Sequence, residues 1–417
     1  MVITVDEKKI TDYFNNMGKL EVTEYLILIA LAVFAPWNWE VALYTFLVFL
    51  ATIVVRIASI RHIGNPSITK PMRWSLFLMA GYFLWNVVSL LWSDNIADGW
   101  DYILRRLPLL LLPIMLLCAD TSYITPLRRR GVLYAYTLSL VVKFFYCIIS
   151  ALVTGKGIQL GINIDPVHHT YMALYLVMAL GFLYSEWFHH HDELHRYVKI
   201  GIISAAIIIV TYFHLVASRT GYVGLAAVFV CILLHKMVRQ RETKLGLIIL
   251  FSGLAIGTAA HFLMPDSARR MINTVSSIQN TEEGDVRIDI YSNALRAGIS
   301  ELPLGAGVGD GQDVLAEYYK EDGHDWPDLN THNIFLDSLL SLGLPGLLLL
   351  LAMLALPTVD GYRRRDFELL TLMLTIAICG MFESILSRQL GLMFIVPMWY
   401  AIASSSPCLQ TDSKDSQ

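Results

Sequence analysis

Apolar runs recur along the chain, separated by short polar connections that are often basic. They cover residues 22–36, 40–56, 74–92, 103–118, 131–153, 168–187, 200–217, 220–236, 245–264, 333–356, 367–386 and 389–405. A bilayer span takes about 20 apolar residues, so the pattern predicts an all-α polytopic integral membrane protein of about twelve transmembrane helices. The shorter runs predict tilt, kinks or partial insertion. Composition agrees, with 55% of the 417 residues hydrophobic and 16% charged. A net charge of −4 adds little, because in a bilayer the side on which each charge lies matters more than the sum. No cleavable leader is expected: the first residues are polar, and the first apolar run leads into PWNWE. The five cysteines, Cys118, Cys147, Cys231, Cys379 and Cys408, stand singly in or beside apolar runs, as small hydrophobes do.

Basic residues orient the chain. With the amino terminus inside, the cytoplasmic connections collect Arg56, Arg61, Lys70 and Arg73, then Arg128 to Arg130, Arg196 and Lys199, Lys236 to Lys244, and Arg363 to Arg365. The resulting division is helices one to nine over 1–264, a large external loop over 265–331, helices ten to twelve over 332–405, and a cytoplasmic tail over 406–417. Against this bias, Arg105, Arg106, Lys156, Arg219, Arg287 and Arg388 fall on or near the external face. Cations held at an outer boundary point to an anionic ligand, or else they snorkel or pair with carboxylates.

The external loop has internal order. GDVRIDIYSNALRAGI places Ile288, Tyr291, Leu295 and Ile299 at helical spacing, ELPLGAGVGDGQ signals a turn, and DVLAEYYKE continues as a second amphipathic stretch. A helix-turn-helix cap over the external face is predicted. GAGVGDGQ is not a dinucleotide fingerprint, because no strand or βαβ unit precedes it. Close backbone approach is the better use for its glycines, and no nucleic-acid partner is expected.

His332 and Asn333 stand at the external end of the tenth run, where Asn330 or Thr331 is the expected helix N-cap. An imidazole there feels the positive end of the helix dipole, which favours its neutral, basic form. A histidine that merely caps the helix is the alternative. Arg219 lies near the middle of an almost unbroken apolar stretch from Gly201 to Leu234, so it must be paired or bind a ligand, with Glu383 as its candidate protein partner. Secondary candidates are His168 and His169, which open the sixth run, Arg105 and Arg106, Arg388, and His324, placed to shuttle a proton. HHHDELH from His189 reads as a solvated cytoplasmic loop. No DxD or tight external carboxylate cluster calls for a divalent metal, Asp325 and Asp328 having no diagnostic spacing, and no cofactor is expected.

His332, Asn333, nine residues and then GLPG at 343–346 resemble the H-[NSQ]-x9-G-x-x-G signature of the O-antigen ligases, and the spacing matches throughout. SRTG at 218–221, VRIDIYSNAL around Arg287, and PLGAGVG at 303–309 are similar to features of the same superfamily, which also holds O-antigen polymerases and protein O-oligosaccharyltransferases. The resemblance implies a GT-C-like membrane glycosyltransferase in the bacterial inner membrane, with its active site facing the periplasm. It further implies an undecaprenyl diphosphate-linked glycan as donor, lipid A-core as acceptor, Arg219 and Arg287 on the diphosphate, His332 serving the acceptor hydroxyl, and no metal. A polymerase, for which Arg287 and Gly298 fit an R-x10-G spacing, stays open as an alternative, as does protein glycosylation. So does a transporter, although no repeated halves are evident.

Overall fold

The computed structural model describes Phe14 and residues 17–59, 64–65, 67–155, 167–216, 219–234 and 286–405, without the side chains of residues 219–220 and 231–234. The expected ninth span, the start of the external loop, Lys156 and the tail fall outside the described residues. Fourteen helices order the described chain: α1 Lys19–Phe34, α2 Trp39–Ser59, α3 Lys70–Ser89, α4 Ile96–Arg106, α5 Pro108–Cys118, α6 Pro126–Thr154, α7 His169–His190, α8 Arg196–Val216, α9 Arg219–Leu234, α10 Val286–Ser300, α11 Gly311–Glu321, α12 Ile334–Arg364, α13 Phe367–Gly380 and α14 Gln389–Ala403. There is no strand among the described residues.

Helices α2, α3, α6, α7, α8 and α12 are long and apolar enough to cross a bilayer, and the protein is a multi-pass membrane protein. Within its apolar window α7 is 78% buried, against 22% for α8 and 28% for α2, so α7 runs through the centre while the others turn one face outward. Val48, Val54, Leu138, Ile149 and Ile207 lie on such outer faces, as lipid contact requires.

The two ends of the bundle are chemically different. At one end Arg56 pairs with Glu24 at 2.8 Å, Arg130 grips both oxygens of Glu186 at 2.6 and 2.7 Å, Arg129 reaches Asp366 and Glu368, and Thr69 donates to Asp360. Several of the cations assigned to the cytoplasmic side are therefore buried in ion pairs that tie helix ends together, where burial makes loss of one partner costly. At the opposite end gather the segments around residues 90–107, 168, 286–333 and 381–388.

The determining feature of that second end is a break in α12. Gly343 has φ +64° and ψ −160°, which interrupts the helix three turns after it starts. A break frees backbone groups that lipid cannot satisfy. The segment 303–307 supplies them: Ala306 N–H donates to Leu340 C=O at 2.8 Å, Gly307 N–H to Ser341 C=O at 3.0 Å, and Leu344 N–H to Pro303 C=O at 3.0 Å. Trp85 Nε1 on α3 donates to the Leu342 carbonyl at 2.9 Å. The strands of backbone approach so closely that a Cβ on Gly343 would collide with the Pro303 carbonyl, and one on Gly305 with the Gly343 nitrogen. Beyond the break, Asp310 accepts from the Asp94 and Asn95 amides at 2.8 and 2.7 Å, which pins the same segment to the α3–α4 turn. The glycines of PLGAGVGDG thus serve close backbone approach.

The predicted helix-turn-helix cap is present as α10 and α11. Its packing differs from what the apolar stripe suggests: Ile288, Leu295 and Ile299 are exposed, while Ala294, Ala297 and Gly298 face inward. Gly298 sits against Leu339 of α12, and a near approach between helix axes selects small residues there. Gly343→Ala should lower stability by more than ~3 kcal/mol through strain and collision together, whereas Gly323→Ala, at φ +83° with open space, should lose only about 1 kcal/mol. Thermal unfolding of the two variants in detergent measures the difference.

Candidate functional site

The DLNTHN segment enters α12 through a short self-bonded turn. Asn330 Oδ1 accepts from His332 N–H at 3.0 Å, and Thr331 Oγ1 accepts from Asn333 N–H at 3.4 Å. The expectation that Asn330 or Thr331 caps the helix is corrected here. Asn333 is the N-cap, its Oδ1 accepting from Phe335 N–H at 2.9 Å and Leu336 N–H at 3.1 Å, because the two preceding polar side chains are engaged by the turn itself. His332 is therefore one residue outside the helix, and its φ of +46° is one of two positive values among the described non-glycine residues. A backbone held in this sparsely used region is a feature of functional sites.

Glu383 comes to His332 from the other side. Helix α13 is only 14 residues, about 21 Å long, and the 381–388 turn follows it directly. Gly380, at the end of α13, leaves room for Ile334 in the first turn of α12, which brings the two segments together. His332 Nδ1 then lies 3.5 Å from Glu383 Oε1. Nδ1 is sealed from solvent and makes no hydrogen bond among the described residues, Glu383 being its ion-pair contact, which leaves Nε2 as the nitrogen available to a substrate. Burial alone would raise the Glu383 carboxyl. The His332 contact, the charge of the His332 and His168 rings and the Ser384 amide outweigh it, and the net shift is downward from the ordinary value of 4.5.

His168 is the N-cap residue of α7, exposed, with its ring centroid 4.0 Å from that of His169. Its pKa is lowered, first by partial desolvation and then by His332 and Arg287, against the opposing pull of Glu383. Tyr291 Oη on α10 donates to the Met381 carbonyl at 2.8 Å, which docks α10 onto the 381–388 turn, and Arg287 stands half-buried one turn earlier on the same helix. Four elements thus converge: the start of α7, the first turn of α10, the entrance to α12 and the 381–388 turn. Arg219 is the first residue of α9, and Gly221 packs against Ala173 of α7, one turn below His169. The Arg219 side chain lies outside the described residues, so its proposed pairing with Glu383 does too.

The remaining candidates separate into different environments. Arg106 is buried, bonded to Asn86, to Asp337 at 2.5 Å and to Ser387 at 2.7 Å. It links α3 and α4 to the first turns of α12 and to the Glu383 turn, so it fixes the separation of the two groups that meet at His332. Arg105 pairs with Asp101 on the surface. His324 stacks on Trp326 with centroids 3.9 Å apart, its Nε2 4.0 Å from Asp289. Arg388 is exposed at the N-cap of α14, and its side chain makes no ion pair or hydrogen bond with described residues. Asp337 escaped the sequence reading, although a carboxylate inside an apolar run four residues after Asn333 was the available signal. No group of three or more His, Cys, Asp or Glu residues with metal-binding geometry occurs among the described residues.

The arrangement offers an imidazole set against a carboxylate at the entrance to α12. Residues 202–351, from α8 to beyond the α12 break, match the family described as O-antigen ligase. No curated protein matches the chain. His332, α10 and the first part of α12 with its break fall inside the matched span, so this multi-pass membrane protein is similar to the O-antigen ligase family over residues 202–351.

Proposed function

We propose that the protein is an O-antigen ligase that transfers a glycan from undecaprenyl diphosphate to a sugar hydroxyl of lipid A-core at the periplasmic face of the inner membrane. The observation that carries this reading is the His332–Glu383 contact at the entrance to α12, with His332 and Arg287 both inside the span matched by the family. Glu383 holds the proton on Nδ1, so that Nε2 is the basic nitrogen. Nε2 takes the proton of the acceptor hydroxyl as its oxygen attacks the anomeric carbon. The bond from that carbon to the phosphate oxygen breaks, with inversion, and undecaprenyl diphosphate departs. Arg287, and Arg219 by resemblance, hold the departing charge through bidentate guanidinium contacts, each worth about 1.5–3 kcal/mol. Such contacts give charge stabilisation without a metal, so transfer should persist in EDTA.

A membrane polymerase would use the same donor chemistry with a second lipid-linked glycan as acceptor. Purified protein in nanodiscs, given the donor with lipid A-core and a second donor molecule in competition, separates the two. Glycan on lipid A-core supports the ligase, whereas longer lipid-linked chains replace it with the polymerase.

His332→Ala should lower turnover about 10²–10⁴-fold with the fold intact, the usual scale of general-base assistance. Unchanged turnover would remove the base role. Glu383→Gln should lower turnover with little change in acceptor KM, since it acts through the ring. Because the folded Glu383 carboxyl lies below its ordinary value of 4.5, its pairing stabilises the protein above that pH and is lost as pH falls through the folded value. Thermal unfolding below pH 4.5 should therefore show a destabilisation in the wild type that is smaller in Glu383→Gln.

A further inference from the structure

Arg388 is distinctive among the cations of the His332 end. Arg105 and Arg106 have carboxylate partners, while the Arg388 side chain is exposed and without an ion pair or hydrogen bond among the described residues. It opens α14, a 15-residue helix whose first amides point the same way. It closes the turn that carries Glu383 and stands two residues before Leu390, the point at which α7 docks on α14.

Two buried hydroxyls on the segments that meet here have no partner among the described residues. Tyr175 on α7 donates from Oη to Leu390 C=O at 2.8 Å, which docks α7 onto the first turn of α14. Tyr171, one turn nearer the His332 end on the same face of α7, is 4% exposed, and its Oη has no hydrogen bond. Ser384, adjacent to Glu383, is also 4% exposed with an unpartnered Oγ. A buried hydroxyl without a partner carries a desolvation penalty that a ligand oxygen would relieve. The acidic groups at this end are Glu383, which meets His332, and Asp337, which Arg106 holds.

We propose that Arg388, the Tyr171 hydroxyl and the Ser384 hydroxyl form a phosphate-binding subsite on the α14 side of the His332–Glu383 pair. Arg388 supplies a permanent charge and a planar pair of donors, and the hydroxyls supply single donors from the buried wall. The inference rests on the glycosyl-transfer reading for its substrate. A phosphate could come from the donor's diphosphate or from a phosphorylated core sugar of the acceptor, and both present the same oxygens.

The test begins with binding of undecaprenyl diphosphate alone to nanodisc-embedded protein carrying His332→Ala, so that no transfer is required. Arg388→Gln should weaken binding at least tenfold, Arg388→Lys should recover part of it, and Tyr171→Phe should weaken it severalfold. Arg296→Gln removes an equal charge from the cap, where Arg296 pairs with Asp322, and should change nothing. If undecaprenyl diphosphate binding is unaffected, transfer in the His332 background is compared with phosphorylated and dephosphorylated lipid A-core. A rise in KM confined to the phosphorylated acceptor assigns the phosphate to the acceptor and upholds the subsite. Unchanged binding and unchanged KM for both acceptors overturn it, as does an equal loss in Arg296→Gln. Loss of binding in a protein that transfers to neither acceptor leaves the subsite standing and removes the ligase reading.

Discussion

The architecture of the His332 end depends on satisfying the backbone groups that Gly343 releases in the middle of an apolar helix. Hydrocarbon offers no hydrogen bonds, so an interruption at that position is stable only where other protein groups reach the freed carbonyls and amides. The 303–307 segment and Trp85 do so. Because that segment must leave the membrane-facing bundle, dock to the break and return, it carries α10 and α11 with it. The cap is therefore positioned by the repair of the helix, and Arg287 is positioned by the cap.

The same end concentrates charge that would be expensive if left alone. Arg106 is buried, but Asp337, Asn86 and Ser387 satisfy it, and each of these belongs to a different segment around the site. Removing one partner would expose the rest to the full desolvation penalty. His332 is the reverse case: its backbone is held at positive φ and its Nδ1 has only the 3.5 Å contact with Glu383. Rigid, satisfied neighbours hold a strained residue whose second nitrogen is left for a substrate.

Much of this was legible in the chain and some was not. Hydrophobic runs and the sidedness of basic residues predicted the helical membrane architecture, since apolar length and charge placement are local properties. The histidine-glycine spacing pointed to His332, and the helical spacing after Arg287 predicted the cap. The Gly343 break was hidden because GLPG within a leucine-rich run reads as continuous helix until its partner segment is known. The N-cap was misplaced by up to three residues, as Asn330, Thr331 and Asn333 are all suited to cap and only their mutual hydrogen bonds select Asn333. The outward stripe of α10 was unreadable for a similar reason: inward residues are chosen by how closely α12 approaches, which periodicity does not encode. The meeting of Glu383 with His332 across 51 residues of chain was not legible, because no local pattern encodes a contact between separate helix ends.

The central claim is that His332, oriented by Glu383, faces the bond from anomeric carbon to diphosphate. Cryo-EM of His332→Ala in nanodiscs with an undecaprenyl diphosphate-linked glycan tests it most directly. The account predicts that the diphosphate lies beside Arg287 with the anomeric carbon turned toward residue 332, close enough for an acceptor oxygen to sit about 3–3.5 Å from that carbon and still reach Nε2. A diphosphate bound at the opposite end of the bundle, or on the far side of α10 with no path to residue 332, would contradict it.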